Sequence, residues 1–538
     1  MICNGEYRLL LDGVNDDKST SFILKQEDEM MLYILTGREY LSFDGETVRN
    51  MLHEAYRPIV TISRSPSGGG TTYEGINLLT GAREDNFLGD AESLDYYLSA
   101  SDIDSVDKVE VANENGGRTE LKVDTDYVVN LVSGKVTFKK AYAPVVTGRD
   151  NVFIQYTKNV KGYPERVTNC TICSLYGVGG NNRVFLSGNP DYKAYDWYSE
   201  LYRADYIPDI NYSIVGSVEN AIMGYHKLGN YQVIIKENSQ TDSTIFQRIG
   251  STDSNGKVIF SLMQGLTGLG AISKHCFSTL IDEPLFLTEN GIYAITSNSI
   301  TAERTIKNRS FYVDNKLLKE SNLKNACSCE WNGYYILVIN NKAYVLDSKN
   351  KSYRVNSSNI YTNDYIYECY YWDNIPAISM LSANGDLYFG TSDGRLCRFN
   401  NDIESLHKYN DDDNAVVCCW ATKLDDDNAT YLYKTLQKRG CMVTLKPYSR
   451  SSAKIYVSKD GDIEKLVKED FIDIFDLENI DFERFTFETN DSAREIIIKT
   501  KVKKYKRLQI IVKNDAKSEG FGIFQIIKTY TVGSYVRR

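Results

Sequence analysis

Tight-turn residues recur through the middle of this chain at a nearly fixed interval, and each turn sits between two short runs of strand-forming residues. In LFLTENGIYAI, Leu285 to Thr288 and Ile292 to Ile295 flank Asn290 and Gly291, a pair suited to the two positive φ values of a type I′ hairpin. DLYFGTSDGRLCRF turns at Asp393 and Gly394, and YYILVINNKAYVLD at Asn340 and Asn341. YQVIIKENSQTDSTIFQRI turns beyond Asn238, and VFLSGNPDYKAYDWYS at Gly188 and Asn189. The step between these turns is roughly 50 residues, and a repeat of that length built from short hairpins is what propeller blades produce. An irregular β-sandwich with chance spacing is the competing reading, since no kelch-like signature recurs with the turns.

A chain of 538 residues exceeds a single core, because cores stop growing near ~250–300 residues. The run MLYILTGREYLSFDG, with Gly37 at its turn, reads as a further hairpin separated from the others by an insertion. KVEVA, TELKV, DYVVNLVSGKVTF and NVFIQYTK fill that gap, with turns at Asn115-Gly116-Gly117 and Ser133-Gly134, and such short strands suggest an independent β-sandwich. The expected architecture is all-β: a β-propeller of six to seven blades with an inserted β-sandwich and a C-terminal β-rich domain. Residues 1–75 supply N-terminal strands that complete the propeller, 76–162 the insertion, 163–415 the propeller and 416–538 the last domain, to which a last blade could also belong.

The 40 tyrosines fit half-buried pleated surfaces and protein contacts. The 11 cysteines are odd in number and dispersed in apolar strand-like runs, as reduced, buried thiols would be. A net charge of −10 opposes a wrap-around DNA binder, which needs a basic surface. Neither a membrane-crossing apolar stretch nor a signal peptide is visible, so the chain is expected to be made and kept in a cytosol. Two acidic clusters, Asp411 to Asp413 and Asp425 to Asp427, read as solvated loops, because neither has the spacing of a calcium loop. The run REIIIKTKVKKYKRLQIIVK alternates apolar and basic residues and predicts a strand with one basic face. That face, Lys499, Lys501, Lys503, Lys504, Lys506 and Arg507, is the candidate contact for an acidic partner or a phosphate backbone.

Recognisable catalytic chemistry is missing. The four histidines, His53, His226, His275 and His407, form no HExxH pair, Cys170 and Cys173 lack a second ligand pair, and Cys327 and Cys329 read as same-face neighbours on a strand. Gly68 to Gly70 and Gly177 to Gly180 lead into no phosphate-binding helix, and no GxSxG elbow is present. The chain is therefore expected not to be an enzyme, with no catalytic residue, metal or cofactor. Paired carboxylates for glycoside hydrolysis stay open, because 72 Asp and Glu guarantee some close pairs.

Several phrases read together resemble the tail nozzle, or packaged-DNA stabilisation, proteins of short-tailed bacteriophages. They are RPIVTISRSPSGGGTTYEGINLLTG, DYVVNLVSGKVTF with APVVTGRDNVFIQY, YGVGGNNRVFLSGNPDY, IVGSVENAIMGYHKLGNYQVIIKENS, LFLTENGIYAI and GFGIFQIIKTYTVGSYVRR. The resemblance implies a virion protein, made in the bacterial host cytoplasm, that forms a homo-oligomeric ring, commonly of six copies, below the portal and its adaptor. Such a ring would retain packaged DNA, conduct it during ejection, touch duplex DNA passively and contact tail fibres or other tail proteins. The alternatives are a baseplate or receptor-binding propeller that recognises host glycan, and a propeller glycosidase.

Overall fold

The computed structural model describes residues 2–3, 6–14, 19–26, 29–254, 256–297, 304–353, 365–400, 406–474, 480, 482, 485–489 and 492–536. Nearly all regular structure is strand, and the chain divides into two compact units, residues 1–397 and 398–538. Among the described residues no helix is long and apolar enough to cross a membrane.

The first unit is a β-propeller. Its sheets are antiparallel meanders that follow one another along the chain. The first comprises Thr20–Gln26, Glu29–Leu35, Tyr40–Phe43 and Val48–Asn50. The second runs from Ile172–Tyr176 to Tyr212–Ile214, the third from Ile222–Leu228 to Val258–Gln264, and the fourth from Ser278–Leu280 to Arg304–Asn308. The fifth runs from Cys327–Trp331 to Tyr365–Asp373, and a three-stranded sheet, Ala377–Ala383 to Leu396–Arg398, follows. Successive sheets touch mainly through their first strands. Central strands covered on both faces carry continuous apolar runs: Leu285, Phe286 and Leu287 are all fully buried, and such unbroken burial needs no alternation of polar residues.

Every turn in the roughly 50-residue repeat joins the second strand of a sheet to its third, and Gly37 does the same in the first sheet. Asn340 and Asn341, at φ 51° and 62°, form the tight pair between Ile339 and Lys342. The LFLTENGIYAI hairpin departs from the type I′ expectation. Thr288 pairs with Gly291, so Glu289 and Asn290 are the loop residues, neither at positive φ, and Gly291 takes φ 118°. The cause is the Thr288 hydroxyl, which accepts the Asn290 N–H and donates to the Gly291 carbonyl.

The inserted domain leaves the chain between the first and second sheets. A six-stranded sheet and a three-stranded sheet enclose a core that includes Phe87, Tyr96, Val109, Phe138, Ile154 and Tyr156, making a β-sandwich. Its margins differ from 76–162. Ile59–Arg64 already belongs to the large sheet, parallel to Ala82–Phe87. Between those strands, Leu78 and Leu79 are buried in the propeller core with Phe22, Tyr33 and Trp197. Asn77 fixes that return: its amide donates to the carbonyls of Tyr56 and Asp205 and its oxygen accepts the N–H groups of Leu79 and Ile207.

The second unit is also built mainly from two β-sheets. Cys418–Ala421, Leu508–Asn514, Arg450–Lys459 and Lys465–Asp473 form one sheet. In the other, Leu432–Leu445 is flanked on one side by Arg494–Ile498 and Val502–Tyr505, and on the other by Ile523–Tyr535. Val443, Ile496 and Ile498 meet Ile455, Ile510 and Val512 between the sheets. The described residues from 406 to 415 group with this unit rather than with the propeller, and the Asn410 side chain is hydrogen-bonded to Ser518.

Candidate functional site

The basic run at 494–513 is not one strand. It divides into Arg494–Ile498, Val502–Tyr505 and Leu508–Asn514, the last of which lies in the opposite sheet. The break is local: Lys504 sits at φ 53° with its N–H on the Thr435 hydroxyl, and Asp460 accepts the N–H groups of Lys506 and Arg507. Lys499, Lys501, Lys503, Lys504 and Arg507 are exposed and Lys506 is half-buried. They line the edge and corner of the sheet rather than a single strand face.

Beside them lies an apolar row that the sequence reading did not single out. Met442 pairs with Ile497 on one side and Ile527 on the other, so the three side chains stand abreast across three strands. The neighbours Cys441, Val443, Ile496 and Ile498 are buried in the core, which turns Ile497, Met442 and Ile527 to the outer face. Ile497 and Ile527 are each 44% exposed and nearby Phe524 is 58% exposed. Lys499, two residues along the same strand direction from Ile497, puts positive charge at the margin of this row.

The Asp425–Asp427 cluster is not a solvated loop. Lys528 reaches Asp425 at 2.6 Å and Asp427 at 2.5 Å, and Lys434 donates to the carbonyls of Asp426 and Ala429. The Lys528 hydrogen bond, with help from the Asp427 N–H, pulls the Asp425 carboxyl down to about 2. Lys528 is thus neutralised on its own strand and adds no charge to the outer face.

In the propeller, chemistry-bearing side chains act as ties between sheets. Arg248 and Asp196, both fully buried, form an ion pair at 2.8 Å between the third and second sheets. Gln232 accepts from Arg248, and the Tyr225 hydroxyl donates to Asp196. Burial raises the Asp196 carboxyl, and the guanidinium opposes that rise. Glu283 binds Arg309 through both oxygens and accepts the Tyr367 hydroxyl of the next sheet. Tyr40 donates to the carbonyl of Ala204, Tyr176 to that of Asn230, and Tyr335 to that of Cys276. His226 contacts the Leu285 carbonyl at 2.9 Å, and burial pushes its imidazole down to about 4.

The CxxC cysteines are equally structural. Cys170 donates to the Arg166 carbonyl and Cys173 meets the Thr20 hydroxyl, and burial pushes the Cys173 thiol up to about 11. The Gly68–Gly70 loop wraps Arg64, whose guanidinium donates to the carbonyls of Gly69, Tyr97 and Leu98. Among the described residues no group of three or more His, Cys, Asp or Glu is placed to hold a metal ion.

No family model and no curated protein matches the chain. Solved structures that match include an exo-β-1,3-galactanase from Phanerochaete chrysosporium, at 10% identity over 67% of this chain and 95% of that one, with a TM-score of 0.22. Another is the extracellular domain of a hybrid two-component system from B. thetaiotaomicron, at 12% identity over 78% of this chain and 54% of that one, TM-score 0.24. The galactanase is a glycoside hydrolase, so the expectation that the chain is not an enzyme is withdrawn. A likeness this low assigns no catalytic residue.

Proposed function

We propose that the chain is a virion structural protein, a nozzle-like component of a phage tail that assembles as a ring and conducts packaged DNA. The supporting observation is the outer face of the C-terminal sheet, where Ile497, Met442 and Ile527 stand in register, Ile497 and Ile527 exposed and Met442 half-buried between them, beside exposed Phe524. An apolar row left facing water marks a protein contact. The phrases that carry the resemblance form ordered parts of the fold: IVGSVENAIMGYHKLGNYQVIIKENS supplies the first hairpin of the third sheet, and GFGIFQIIKTYTVGSYVRR contains the terminal strand. Adaptor and portal-proximal proteins above the ring and tail fibres beside it are the partners this reading entails.

The test is electron microscopy of the purified chain with light scattering across concentration. Class averages with rotational symmetry and an open centre are expected. A monomer at all concentrations, combined with release of sugar from β-1,3-linked galactose oligomers, would replace the assembly reading with the glycosidase one.

A further inference from the structure

Charge is divided unevenly between the two units. Residues 398–538 hold 25 Lys and Arg against 23 Asp and Glu, so of the total of −10 the first unit carries −12. Within the second unit, Lys499, Lys501, Lys503 and Lys504 are exposed along one edge of the outer sheet face. The apolar row of Ile497, Met442 and Ile527 adjoins that edge. Lys528, also on this sheet, is held by Asp425 and Asp427 and contributes nothing to it.

An apolar centre with a charged margin is the anatomy of a protein interface. Its sign selects a partner of opposite charge, and the acidic partner present wherever this chain is present is another copy of it. Resting on the ring reading, we propose that this face docks on the acidic first unit of a second copy. The contact is head-to-tail, since a basic sheet in one copy meets an acidic propeller unit in the next. Contacts of that type repeat from copy to copy, and they close into a ring when the rotation between copies is a whole fraction of a turn.

Full-length chain labelled with heavy nitrogen is mixed with unlabelled chain before assembly and treated with a carbodiimide, which joins lysine amines directly to carboxylates. Mixed-isotope cross-links from Lys499, Lys501, Lys503 or Lys504 to carboxylates within residues 1–397 are expected. The same assembly should weaken roughly tenfold or more in Lys499→Glu with Lys503→Glu, and again in Ile527→Ser, because charge reversal repels the partner and the serine removes apolar contact. Melting curves matching the wild type confirm that both variants fold. If oligomers form but neither variant weakens them, or the cross-links stay within single copies, the docking face is wrong while the ring reading stands. If the wild type never assembles, both fall. Tight, salt-sensitive binding of duplex DNA that is lost in the double charge reversal would overturn the proposal in favour of a nucleic-acid surface.

Discussion

Asp196 and Arg248 show how much of the propeller depends on single polar side chains. Both are fully buried, and removing one partner of such a pair strands the other charge, at a cost of about 3–5 kcal/mol. Asp196→Ala is therefore expected to lower the denaturant midpoint of the full chain strongly. Asp196→Leu combined with Arg248→Met should recover most of the loss, because no charge is then left buried; a double variant as unstable as the single one would show that packing, not charge, sets the effect. The pair was readable in principle. The two residues lie 52 positions apart, about one repeat, on the third strands of successive sheets, each within an otherwise apolar run. Opposite charges one repeat apart are a pairing signal, although neither residue belongs to a catalytic pattern. Tyrosine suits β-surfaces and contacts, and Tyr40, Tyr176 and Tyr335 place those contacts inside the molecule, from hydroxyl to neighbouring carbonyl.

Strands and turns were the most legible feature, because alternation and turn chemistry are local. Asn340-Asn341 forms the expected tight pair, and two further pairs of the same kind, Asn332-Gly333 and Asn384-Gly385, also turn at positive φ. The basic run misled for a complementary reason. Its period of two continues through Lys501 and Lys503, but the positive φ of Lys504 and the grip of Asp460 on the N–H groups of Lys506 and Arg507 turn the chain into the other sheet. Hydrophobic alternation reports which residues face inward, not whether one strand or three present them. The Ser133-Gly134 turn offers a direct test of turn chemistry. Gly134 has φ 59°, and a Cβ there would overlap the Ala100 carbonyl oxygen. Gly134→Ala should thus destabilise the inserted sandwich by more than the ~1 kcal/mol of backbone strain alone. Hydrogen exchange should show the loss in Tyr127–Asn130 and Lys135–Phe138 before it reaches the propeller sheets; unchanged protection in both strands would refute the steric reading.

Long-range organisation was legible as a sequence of domains but not at their seams, since a seam is decided by where individual side chains go. Leu78 and Leu79 lie inside the expected insertion yet pack in the propeller core, and no local pattern distinguishes them from strand residues of the sandwich. Two deletions separate these possibilities. Removing 82–157 and joining Gly81 to Lys158, whose N–H already donates to the Gly81 carbonyl, keeps both leucines and the Asn77 network and should leave a cooperatively melting propeller. Removing 76–162 takes them out and should lower the melting temperature further or abolish the transition; equal melting of the two would mean that the leucines contribute nothing to the core. The ties between sheets also have a mechanical meaning. Apolar faces alone could slide past each other with little change in buried area, because hydrophobic attraction has no direction. An ion pair or a hydroxyl-to-carbonyl hydrogen bond is lost after a displacement of about 1 Å. Arg248 on Asp196, Tyr367 on Glu283 and Tyr335 on Cys276 therefore act as dowels between adjoining plates, giving the stack resistance to shear so that a force on one sheet is passed sideways to its neighbours.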